Sequence, residues 1–178
     1  MSIKIVGIDA SLASTGMCQM GNILETVTTS IQSKLTGPQR LIEIRRKMWD
    51  FVRGSELVVL EDYSFASGNQ AHQIGELGGI LRVTFFENGL RVLKVSPSQL
   101  KKFITGKGNA KKEEIAVAIF KKWGREFKTN DEADAFVLAR IGMAYMGHTN
   151  GLTAYQQEVI DALHGKSEVK KKKIKGGK

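Results

Sequence analysis

Paired cysteines, metal-spaced histidines and long apolar runs are all missing from this sequence, and each absence narrows what the chain can be. The single cysteine, Cys18, cannot form an internal disulfide, and with three scattered histidines it offers no zinc-ligand spacing. A reducing, cytosol-like compartment is the expectation. No apolar stretch approaches the roughly 20 residues that cross a bilayer, and the first residues lack the charged-then-apolar order of a secretory signal. We therefore expect a soluble, cytoplasmic chain with no membrane partner. There is no internal repeat. Acid is scarce: 18 Asp and Glu stand against 27 Lys and Arg, a net charge of +9, which favours a polyanionic partner, nucleic acid first, over acidic small molecules. Part of that excess lies in Lys170, Lys171, Lys172, Lys173, Lys175 and Lys178. With 42% hydrophobic residues in 178, one globular unit with a real core is expected.

The apolar pattern gives an order of elements. Residues 3–8 are rich in β-branched side chains and read as a buried strand ending at Asp9. Strands over 15–20 and 23–29 flank Gly21-Asn22, the signature of a tight antiparallel hairpin. Leu41, Ile44, Met48, Phe51 and Val52 recur at helical spacing behind Pro38 and predict a helix over 38–53. The continuous apolar run Leu57 to Leu60 is the pattern of a strand covered on both faces, ending on Glu61. A helix over 69–88 carries Gly75, Gly78 and Gly79, which weaken it in isolation and signal close packing. A strand over 92–95 and a helical turn opened by Ser96-Pro97 follow. Asn109 is expected to cap a helix with Ile115, Val117, Ala118 and Phe120 on its apolar side. The last long helix is expected over 131–146, a short one over 155–163, and a disordered lysine-rich tail beyond. This is the order of an α/β layer fold, a mixed sheet between helices.

Four acids fall where such a fold gathers chain ends. Asp9 ends the first strand and Glu61 the fourth, and Asp131 and Asp134 open the last long helix with the i, i+3 spacing that puts both on one face. Any one has an ordinary alternative: Asp131 as a helix cap, Asp9 as a turn residue, Glu61 or its neighbour Asp62 as an exposed strand end. Asp134 is harder to dismiss, since it lies among Ala133, Ala135, Phe136 and Leu138 on a largely apolar helix, and buried acids need partners. Together the four would repel one another unless cations neutralise them, and hard oxygen ligands suit Mg²⁺, with Mn²⁺ as a substitute. Two such ions about 4 Å apart can activate water, hold a scissile phosphate and stabilise its leaving oxygen. Phosphodiester hydrolysis is the chemistry implied.

Three segments carry a resemblance. Gly7-Ile8-Asp9-Ala10-Ser11-Leu12-Ala13-Ser14-Thr15-Gly16 is similar to the first motif of RuvC-type Holliday junction resolvases, Val59-Leu60-Glu61-Asp62 to their second acidic motif, and Asp131-Glu132-Ala133-Asp134-Ala135 to their closing helix. Residues 3–146 are covered, and Ala10-Ser11 stands where Pro-Gly is often found. The resemblance implies an RNase H-like fold with a mixed five-stranded sheet flanked by helices, a nuclease domain over 1–148, and an extension over 149–178. It implies a Mg²⁺-dependent homodimer that makes paired, symmetric nicks in a four-way DNA junction, with Asp9, Glu61, Asp131 and Asp134 as ligands of two metal ions. Divergent motif details and the lysine tail lean towards a phage-type enzyme, which would act in its host's cytoplasm.

The same resemblance assigns the basic segment from Ser98 to Lys112. Lys101 and Lys112 match its functional lysines, Lys111 is the neighbouring alternative, and Lys102 and Lys107 extend the track of phosphate contacts. Lys112 would assist catalysis by stabilising developing negative charge. Tyr63 and Phe65 flank the position of an aromatic that opens bases at the junction. The helix around Gly75 and Gly79 resembles the family's dimer helix, although contact with the protein's own sheet is an alternative use of those glycines. Competing readings are a relaxed nuclease for flaps, three-way junctions and forks, or a monomeric RNase H-like enzyme. An actin-like or sugar-kinase ATPase would need a second phosphate motif that is missing, and a purely DNA-binding descendant is disfavoured because all four acids are present. No branch-migration partner is legible.

Overall fold

A computed structural model describes residues 3–21, 26–62 and 71–165. Five strands, β1 (Lys4–Asp9), β2 (Thr15–Gly21), β3 (Val27–Ile31), β4 (Leu57–Glu61) and β5 (Val92–Val95), form one sheet in the order β3-β2-β1-β4-β5. β1 pairs antiparallel with β2 and parallel with β4; β2–β3 is antiparallel and β4–β5 parallel. The sheet is therefore mixed, as the element order predicts.

Side chains alternate across the sheet with period two, and this divides the core. Val6, Ile8, Val58 and Leu60 face α1 (Gly37–Val52) and α2 (Ala71–Glu87), packing with Ile44, Met48, Leu77, Leu81 and Phe85. Ile5, Leu57 and Val59 face the other way, into a cluster with Phe103, Ile119, Phe136 and Ile160. Those come from α3 (Pro97–Thr105), α4 (Lys112–Trp123), α5 (Asn130–Tyr145) and α6 (Ala154–Leu163). α6 packs on α3 and α5, so the extension's helix shares the core of the preceding chain. Among the described residues no helix is long and apolar enough to cross a membrane.

Two expectations need correction. The β2–β3 register is not the one that a two-residue turn at Gly21-Asn22 would set: Thr15 pairs with Ile31 and Gln19 with Val27, while Asn22 lies outside the described residues. Ile31, 6% exposed, anchors β3 to the core, which draws the strand later than 23–29. Asn109 does not cap α4. The chain makes a further turn, with Ala110 N–H donating to Lys107 O at 3.4 Å and the Ala110 side chain buried, and the helix starts at Lys112. α4 accordingly buries Ile115 and Ile119, leaving Val117 and Phe120 at 52% and 54% exposure instead of inside. Ser96 caps α3 as its sequence predicts, accepting from Gln99 N–H, with Gln99 returning the bond to Ser96 N–H. Tyr63, Phe65 and the lysine tail lie outside the described residues.

Candidate active site

Strand register brings the first two acids together. Ile8 lies opposite Leu60 in the parallel β1–β4 pair, so Asp9 and Glu61, one residue further on, are neighbours at the same end of the sheet. Their parity matters equally. Asp9 follows Ile5 and Gly7, and Glu61 follows Leu57 and Val59, all on the α5 side. Asp62, with the opposite parity, turns away and pairs with Lys94 at 3.2 Å, both side chains about half exposed. Alternation thus turns Glu61, and not Asp62, to the same side of the sheet as Asp9.

α5 supplies the other two. It lies directly on β1 and β2 because the strands present glycine beneath it: a Cβ on Gly7 would stand 2.2 Å from Ala135 O, and one on Gly16 2.0 Å from Asp131 O. Asp9 pairs with Gly16 across the β1–β2 ladder, so the contact at Gly16 sets the start of α5 beside Asp9. Thr129 caps the helix, accepting from Glu132 N–H at 3.2 Å. Asp131 is thus not the cap.

The electrostatics register this convergence. Burial pushes the Asp9 carboxyl up to about 9, helped by the charges of Glu61 and Asp134, a hydrogen bond with Glu61, and Asp131. Burial also raises Glu61, with Asp131 adding to the rise; the Asp9 hydrogen bond, Lys101 and Lys112 oppose it. Asp134 is pushed up to about 7, by burial first and then by Glu61, with Lys112 the leading opposing charge. Buried carboxyls that raise their neighbours in this way disfavour being ionised together. Among the described residues no three potential ligands close around a common point. The donor set nevertheless suits a hard divalent cation: every member is a carboxylate, and the mutual repulsion of buried carboxylates is what a metal ion relieves.

The basic segment separates under this geometry. Lys101 and Lys112 act on both Glu61 and Asp134, and a narrow cleft between α4 and α5 is lined by Lys112, Ala116, Asn130 and Asp134. Lys102 points elsewhere, in an ion pair with Glu158 of α6 at 2.7 Å. Lys107 and Lys111 are exposed, before α4 begins. Sequence reading quoted Thr15 only as part of a motif. It is fully buried, and its hydroxyl donates to Ser11 O at 2.6 Å and accepts from Ser11 N–H at 3.1 Å, holding the turn that follows Asp9. A threonine opening a buried strand after a Ser-containing turn is the signal that could have found it.

The sequence and the fold are similar to those of known proteins. Residues 5–142 match the family model described as crossover junction endodeoxyribonuclease RuvC. A protein of that name from Carboxydothermus hydrogenoformans is 30% identical over 159 residues, covering 82% of this chain and 98% of the relative. The Thermus thermophilus RuvC structure superposes with a TM-score of 0.65 at 24% identity, covering 83% of this chain and 98% of that one. A second structure, T. thermophilus RuvC in complex with Holliday junction substrate, gives 0.63 at 21%, covering 82% and 97%. With the family model matching residues 5–142, most of the chain, this chain belongs to the crossover junction endodeoxyribonuclease RuvC family.

Proposed function

We propose that this protein is an endodeoxyribonuclease that resolves four-way DNA junctions, acting as a homodimer with two divalent cations, Mg²⁺ or Mn²⁺, in each active site. The observation that carries the reading is that Asp9, Glu61, Asp131 and Asp134 lie near enough to act on one another's charge, with Lys101 and Lys112 opposing, in a chain whose relatives are named for junction cleavage. Asp9, Glu61, Asp131 and Asp134 would hold the metal, which supplies Lewis acidity to a phosphodiester and lowers the pKa of water. The chain's own groups do the rest. Asp9 and Glu61 are fixed on strand ends and Asp131 and Asp134 on a helix seated against glycine, so the site needs little rearrangement to bind. Lys112 stabilises negative charge growing on the phosphate, Lys101 grips the backbone beside it, and hydrolysis leaves a 5′-phosphate. Lys107 and Lys111 extend the phosphate track, whereas Lys102 is engaged by Glu158.

The outer face of α2 supports pairing. Among the described residues nothing outside the helix's own backbone and the adjoining residues lies within 4 Å of a Cβ built on Gly75 or Gly79, so these glycines do not serve contact with the described sheet. Gly75, Gly79, Val83 and Phe86 follow one another on one helix face, with Val83 55% and Phe86 84% exposed. An apolar stripe edged by glycine lets a second helix approach closely, and two copies related by a twofold axis carry two sites for paired nicks.

Cleavage in Mg²⁺ is to be compared on matched synthetic DNAs: a mobile four-way junction, a three-way junction, a flap, an RNA–DNA hybrid and linear duplex. Paired nicks confined to the four-way junction are expected. Cutting of all branched DNAs would replace this reading with a relaxed structure-selective nuclease, and hybrid-only cutting with a ribonuclease.

A further inference from the structure

A groove of about 800 Å³ lies beside the carboxylates, between α4, residues 124–129 and the start of α5. Lys112 and Asp131 are among the residues that line it, so it adjoins the active site. Its apolar wall is built from Val117, Phe120 and Phe127. Phe127 is fixed by contact with Phe136, ring centroids 5.0 Å apart, while Phe120 is more than half exposed. Val117 and Phe120, apolar side chains that α4 leaves outside the core, thus form the wall of an open groove. Lys121, Arg125 and Lys128 also line it, against Glu126, and among the described residues none of these cations or Lys112 is ion-paired.

Free aromatic surface edged by unpaired cations is complementary to one ligand chemistry in particular, an unstacked nucleotide. The base lies on the ring, and the flanking phosphates meet the cations. We propose that this groove is a nucleobase pocket that receives one unpaired base of the DNA strand running past the active site, with Phe120 as its stacking surface and Arg125 and Lys128 meeting the backbone. The inference rests on the junction-nuclease reading for the source of the strand. A volume of 800 Å³ admits a base with its sugar, and the wall formed by Val117, Phe120 and Phe127 is apolar, so recognition there is by stacking. Asn130, exposed at the start of α5 on the groove's edge, is the amide placed to bias which base is preferred.

The test is binding of the full-length protein, without divalent metal, to a four-way junction in which single abasic sites are scanned three nucleotides to either side of the branch point on each strand. Wild type, Phe120→Ala and Phe120→Tyr are compared. One position is expected at which base removal weakens wild-type binding about tenfold. Phe120→Ala should weaken binding to the intact junction by a similar factor and be indifferent to the abasic site there, while Phe120→Tyr behaves as wild type. Coincident scans for wild type and Phe120→Ala overturn the pocket. If wild type shows no preference for the junction over duplex, the junction reading fails. The pocket is then judged on oligothymidylate, where Phe120→Ala must still bind about tenfold more weakly, and equal binding overturns it.

Discussion

The two faces of the sheet use the same residue for opposite ends. On one face α5 presses onto β1 and β2 because Gly7 and Gly16 leave no side chain in the way, and the helix delivers Asp131 and Asp134 to Asp9 and Glu61. On the other face α2 packs inward through Leu77, Leu81 and Phe85 and turns Gly75 and Gly79 outward into open space. A glycine's meaning is set by what its missing side chain would have met. Where backbone lies behind it, glycine builds the interior; where nothing does, it leaves room for something else.

If chemistry belongs to the α5 face and pairing to the α2 face, single substitutions should separate them. Asp9→Asn should lower the single-turnover cleavage rate by about a thousandfold or more, a loss of roughly 4 kcal/mol of transition-state stabilisation. Junction binding and the sedimentation coefficient should be unchanged. Retained cleavage would sink the metal-site assignment. Gly7→Ala drives a Cβ against backbone at 2.2 Å, and backbone cannot give way as a flexible side chain can. We expect a loss of about 3 kcal/mol in urea unfolding. Gly79→Ala meets nothing, so it should leave the monomer's fold unharmed or more stable, by up to about 1 kcal/mol, while weakening self-association. Similar losses at both positions would erase the distinction between the faces.

That distinction was half legible beforehand. Alternation along Ile5 to Asp9 and Leu57 to Glu61 places the acids, because a strand's period of two leaves no freedom once the core side is known. The glycines of α2 were seen but their direction was not, since helical periodicity says which residues share a face and not which face meets the core when small residues are mixed with large ones. α4 failed for the same reason. Val117 and Phe120 are as apolar as Ile115 and Ile119, and composition alone cannot say which pair is buried. The β2–β3 connection was misread because Gly21-Asn22 is a good turn pair, yet the burial of Ile31 outweighs local turn preference.

The carboxylate cluster makes stability depend on pH in a direction the α2 face should not share. Asp9 at about 9 and Asp134 at about 7 lie above ordinary aspartate, so the folded state holds protons that the unfolded chain releases. Their contribution is complete below about pH 4 and is lost as pH rises through about 7 and then about 9. Metal-free protein should therefore melt lower at pH 9 than at pH 5, by the equivalent of about 2 kcal/mol once partial exposure is allowed for. Added Mg²⁺ should recover much of the loss at the alkaline end by binding the ionised form. Asp9→Asn should flatten the alkaline part of the profile, whereas Phe86→Glu, on the 84% exposed outer face of α2, should yield a monomer with the same slope. An unchanged profile in Asp9→Asn would dissociate the titration from the site.

The smallest effect tests a lysine that sequence alone placed with the others. Lys101 and Lys102 are adjacent, but successive helical residues point about 100° apart, and only Lys101 acts on Glu61 and Asp134 while Lys102 reaches Glu158. Lys102→Ala removes a solvent-exposed ion pair whose contribution is below about 1 kcal/mol, so melting should shift by a few degrees at most and cleavage should stay within about twofold. Lys101→Ala, by contrast, should weaken junction binding and reduce its salt dependence by about one unit of slope. If Lys102→Ala matched Lys101→Ala in both respects, α3 would present both lysines to DNA, and the Glu158 pair would have to open on binding.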